Sequence, residues 1–148
     1  MSDIRKNDPV AYTVEQFEAA GFTYGSVIPK SWFDLHLGIP EPQSIADVHK
    51  GQILYASLMG ELRAKLLVQK KMALRTKAGV GQEVIHPGEQ TEWAMSEVKN
   101  ALHRELEKAR DRLCYVDASA LTDEERRENM DAQAKLSFFQ RKGLRSLA

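Results

Sequence analysis

Cysteine is almost missing from these 148 residues: Cys114 is the single one, so no disulfide can form within the chain. A reducing cytoplasm is the expected compartment, and Cys114, set between Leu113 and Tyr115 in a helical stretch, reads as a half-buried structural thiol. Uninterrupted apolar runs of bilayer length are missing too, and MSDIRKNDPVAY lacks the apolar segment of a signal peptide, so no membrane partner is expected. Charge of one sign is not in excess, with 21 Lys plus Arg against 21 Asp plus Glu. That balance argues against a generic polybasic binder of nucleic acid or lipid, which draws its affinity from surplus positive charge. The motifs of catalysis are missing as well. There is no G-x-S-x-G, no phosphate-cradling glycine loop and no HExxH or HxxxH pair among His36, His49, His86 and His103. Neither Glu105 and Glu107 nor Glu124 and Glu125 share a helix face as paired catalytic carboxylates would. No catalytic residue, metal ligand or cofactor is therefore assigned, and a non-enzymatic protein is expected.

Helix signals dominate what is present. Asp8-Pro9 and its polar neighbours suggest a flexible arm over residues 1–12, followed by a single helical domain over 13–148. Thr13-Val14-Glu15-Gln16 has the form of a capping box opening a short helix that stops at Gly21. The segment from Thr23 to Ile28 is β-prone, and Pro29 opens a second short helix whose Trp32, Phe33, Leu35 and Leu37 are apolar. After the stiff Ile39-Pro40-Glu41-Pro42 linker, Ser44 caps a helix predicted to run to about Lys71. Tyr55, Met59, Leu62 and Leu66 form its stripe, which Ile53, Leu54, Leu58 and Leu67 widen toward a second side. A further helix starts at Pro87 and carries the most regular pattern in the chain. Met95, Val98, Leu102, Leu106, Ala109, Leu113 and Val116 step by three and four as a heptad-like seam for helix packing or dimerisation. Thr122-Asp123-Glu124-Glu125 is a second capping box, and the last helix is predicted to end near Lys142, before Gly143, with Leu144 and Leu147 folding back or fraying. Trp32, Phe33 and Trp93 are the large apolar anchors. The fold class is mainly α: a helical bundle with two or three long helices and one small, wing-like β-hairpin at about 72–86.

That hairpin lies within MALRTKAGVGQEVIHPGEQ, the stretch from Met72 to Gln90 that carries the functional question. Gly79 and Gly81 supply the positive φ of a tight reversal. Residues 51–90 hold six basic and three acidic side chains, while 1–50 hold four and seven, so the local positive surplus sits here. Lys70, Lys71, Arg75, Lys77 and Gln82 are the candidate nucleic-acid contacts. On the preceding helix Arg63 shares a face with Lys70, seven residues on, and Lys65 lies elsewhere on the wheel, so that helix adds a ridge only if the hairpin joins it in space. The run LRTKAGVGQEV, Leu74 to Val84, resembles the wing of response-regulator DNA-binding domains, with Gln82 in the aromatic position and Lys77-Ala78 in place of the Arg-Gly opening. Tyr24–Trp32, the hairpin and Pro87-Gly88-Glu89-Gln90 are also similar to small uncharacterised proteins of tailed phages. That similarity implies an early or regulatory protein in the cytoplasm of a bacterial host. Two readings follow. One is a regulatory protein that binds DNA through the basic hairpin and an adjacent helix. The other is a helical protein–protein interaction module that binds or inhibits a host protein, or pairs with itself as a homodimer along Met95, Val98, Leu102, Leu106 and Leu113.

Overall fold

Asp8 and Pro9 decide where the first helix begins. The Asp8 carboxylate accepts from the Ala11 N–H at 2.8 Å, and Pro9 occupies a first-turn position whose N–H would have no helical partner. Helix α1 therefore spans Pro9–Ala19 and starts ahead of the predicted Thr13 capping box. Thr13 is instead fully buried, and its hydroxyl donates to the Pro9 carbonyl oxygen at 2.7 Å. The computed structural model describes residues 7–146, without the side chain of Leu144. Of the expected arm over 1–12, residues 1–6 lie outside that range, as does Leu147, while Val10 is a core residue.

Strand β1, Val27–Pro29, runs directly into α2, Lys30–Leu37, which Gly38 ends in the left-handed conformation at φ 72°. Ser44 caps α3, Ile45–Lys70, its hydroxyl accepting from the Asp47 N–H at 3.2 Å. The hairpin follows as β2, Leu74–Lys77, and β3, Gly81–Val84. Its strands lie inside the expected 72–86 window, but the hairpin is not isolated. β1 pairs antiparallel with β3, giving a three-stranded sheet in the order β1-β3-β2. Helix α4 spans Pro87–Cys114, a 3-10 turn covers Ala118–Ala120, and α5 spans Asp123–Ser146. The Thr122–Glu125 capping box forms in both directions, at 2.8 Å and 3.2 Å. Gly143 lies inside α5 rather than after it, beside the Phe139 ring.

The chain divides into two compact units, Met1–Gln90 and Thr91–Ala148, where the sequence suggested a single domain from residue 13. The first unit holds the core. Val10, Val14 and Phe17 of α1 meet Ile28 of β1, Phe33 and Leu37 of α2, Met59, Leu62 and Leu66 of α3, and Leu74 and Val84 of the sheet. Trp32 packs against this core and stacks on His36 with ring centroids 4.0 Å apart. The stripe on α3 is narrower than predicted. Tyr55 and Leu58 are partly buried beside it, but Ile53, Leu54 and Leu67 face solvent, Ile53 at 72 % exposure.

The second unit is a pair of long helices with little core of its own. Among the described residues Leu106 is its only buried side chain. Leu102, Ala109 and Leu113 on α4 are half-buried, as are Ala132, Gln133 and Leu136 on α5. The side-chain amides of Asn129 and Gln133 donate to the Leu113 carbonyl oxygen at 3.1 and 3.2 Å, serving one of the orphan acceptors at the end of α4. Cys114 is exposed, not half-buried, because it sits one residue past Leu113 and turns off the covered face.

Candidate functional site

The pleat decides what the hairpin can offer a ligand. Side chains alternate across a strand, so Arg75 and Glu83, paired in register, share the outer face. Thr76 and Gln82 pair on the opposite face, together with Leu74 and Val84. Gln82 is 4 % exposed, with its amide turned toward α3 and away from solvent. A buried glutamine of this kind holds the protein together; it does not reach a base or phosphate. This corrects its assignment as a nucleic-acid contact, and the signal was present in its alternation with Val84.

Half of the cations in residues 51–90 are engaged with carboxylates. Arg75 donates to Glu83 from Nε and Nη2 at 3.1 and 2.8 Å, and Glu89 lies 3.6 Å away. The hydrogen bond from Arg75, then its charge, hold the Glu83 carboxyl below the usual glutamate range against partial burial, and Glu83 raises Arg75 in turn. Lys70 is paired with Glu18 of α1 at 2.8 Å, and Lys65 with Asp8 at 3.7 Å. Of the predicted contacts, Lys71 and Lys77 alone are exposed with no carboxylate in ion-pairing range among the described residues. Lys71 ends α3 in the left-handed conformation at φ 57°, and Lys77 stands at the hairpin tip. Of the expected basic prong, Lys70 and Arg75 are thus neutralised, while Lys71 and Lys77 have no carboxylate in ion-pairing range among the described residues.

Arg63 was placed on the ridge, but its role differs. It lies four residues after Met59 and three before Leu66, at the margin of the buried stripe of α3, and this spacing is the signal that points it toward the sheet. Its Nη2 donates to Thr76 Oγ1 at 2.7 Å and to Gln82 Oε1 at 2.8 Å, and its buried Nε has no hydrogen-bond partner among the described residues. Gln82 in turn donates to Thr76 Oγ1 at 3.2 Å. Close by, Lys30 bonds both Asp34 oxygens at 2.8 and 2.7 Å and stands 4.3 Å above the Tyr55 ring. Burial and then the Asp34 charge push the Tyr55 hydroxyl above its ordinary value. Arg63, Thr76, Gln82, Lys30 and Tyr55 border a cleft of about 530 Å³ between α3 and the hairpin tip.

The seam on α4 is split along its length. Leu106 is buried and Leu102 and Leu113 are half-covered, whereas Met95 and Val98 are 45 % and 52 % exposed. Val116 lies past the helix end and is 37 % exposed. Among the described residues no group of three or more His, Cys, Asp or Glu side chains is placed to hold a metal ion, and no helix is long and apolar enough to cross a membrane. No family model, no curated protein and no solved structure matches the chain.

Proposed function

We propose that the protein acts by binding another protein surface rather than by catalysis, and that its second unit pairs with a second copy along the α4 seam. One observation carries this reading: Met95 and Val98 continue the spacing of Leu102, Leu106 and Leu113 but stand in solvent. A pair of helices with one buried side chain removes far less apolar surface from water than an independently stable element needs. Covering the open half of the seam supplies what is lacking. A second copy fits, because residues 91–148 carry eleven basic and eleven acidic side chains, so two such surfaces meet without net repulsion. The DNA reading has less support, since Lys70 and Arg75 already hold carboxylates and Gln82 is buried.

Sedimentation across a concentration series tests the proposal. The wild-type chain is expected to dimerise, and Val98→Glu to be monomeric with its helical content kept, because Val98 supports no core in the single chain. A wild type that stays monomeric at every concentration refutes self-pairing. Salt-dependent retardation of duplex DNA, lost in Lys71→Ala with Lys77→Ala, would replace this reading with the DNA one.

A further inference from the structure

Three of the six cations in residues 51–90 have carboxylate partners; Arg63, Lys71 and Lys77 have none in range among the described residues. Two of those three, Arg63 and Lys77, line the same cleft. Lys30 lines it as well, though its charge is already met by Asp34, and among the described residues no aspartate or glutamate lines the cleft itself. Arg63 is held at the inner side by neutral oxygens only, those of Thr76 and Gln82, so its position is fixed while its charge stays uncompensated. A half-buried guanidinium in that state has lost part of its hydration without gaining a counter-ion, which leaves an entering anion a net electrostatic gain. Tyr55, Met59 and Val80 add apolar wall beside the charged groups. The volume, about 530 Å³, lies within the range of small-ligand clefts.

We infer that this cleft binds a small organic oxyanion, a phosphate monoester or a carboxylate. Its charged head would lie at Arg63, within the positive field of Lys77 at the tip, and its apolar body against Tyr55 and Val80. Arg63 orients the head group by hydrogen bonding, and Lys77, whose side chain leaves β2 on the face of Arg75 and Glu83, adds positive charge from the hairpin tip. The site belongs wholly to the first unit and stands or falls independently of self-pairing in the second.

Phenyl phosphate and phenylacetate are the probes, each titrated into the full chain at low salt while the N–H resonances are followed. The expected result is saturable shifts at Arg63 Nε–H and at the Thr76, Lys77 and Gln82 amides. Response to one probe alone also supports the site and tells phosphate from carboxylate. Lys77→Ala, which touches none of the bonds joining α3 to the sheet, is expected to weaken binding about fivefold with thermal stability unchanged. Arg63→Gln is expected to abolish it. No saturable shift with either probe overturns the inference. So does binding of unchanged strength in a folded Lys77→Ala protein and a folded Arg63→Gln protein.

Discussion

Gly81 shows how much a single missing side chain decides. Its φ is 154°, and a Cβ built there would fall on the Ile28 carbonyl oxygen of the neighbouring strand. Gly81→Ala therefore has to part β1 from β3 as well as adopt a backbone that L-residues avoid, a loss on the order of 3 kcal/mol or more. The measurement is a denaturant midpoint, with Gly79→Ala as the comparison: Gly79 has φ 73° but open space around it, so its loss should be smaller. Glu83 makes a different residue-scale point. Its folded carboxyl titrates below the ordinary glutamate value of 4.5, chiefly through the hydrogen bond from Arg75. The stability it contributes is therefore fully present above that value and is lost as pH falls through the lower, folded one. Arg75→Ala should flatten the acid limb of the stability–pH curve and leave its slope near neutral pH unchanged. An acid limb identical to wild type would show that the pair is not coupled to folding.

Among the elements, α1 and α5 contrast in how their starts are chosen. α5 begins where local sequence says, with Thr122 and Glu125 each serving the other's backbone N–H. Thr122→Ala should lower the stability of the second unit by about 1 kcal/mol, read as a fall in its melting temperature. α1 ignores an equally good local signal at Thr13, because extending the helix back to Asp8 brings Val10 into the core at 1 % exposure. Burying a valine contributes about 2 kcal/mol, more than the choice between two capping residues decides. The hairpin followed local rules for its turn and strands. The β character of its third strand was legible over Thr23 to Ile28, but its pairing was not, since Val27, Ile28 and Pro29 reach β3 across more than fifty residues.

For the whole molecule the uneven distribution of core matters most. The first unit gathers all but one of the buried apolar side chains among the described residues, with Leu106 the exception. Hydrogen exchange should separate the two: slow amides at Leu62 and Leu66, faster ones along α4 and α5. If self-pairing covers the seam, protection around Val98 and Leu102 rises with protein concentration while that of the first unit stays constant. Concentration-independent exchange at Val98 would place the cover elsewhere.

By itself the sequence determined what depends on neighbours within a turn or two of chain. That includes the caps at Ser44 and Thr122, the stop at Gly38, the reversal at Gly79 and Gly81, and the mainly α class. The fate of charged and polar side chains was decided only by tertiary structure. Glu18 meets Lys70 fifty-two residues away, and Arg63 meets Gln82 nineteen away. The reason is that a cap or turn is stabilised by bonds the local backbone itself offers. A cation's partner is whichever carboxylate or amide the packed helices carry to it, and periodicity along one segment holds no record of that meeting.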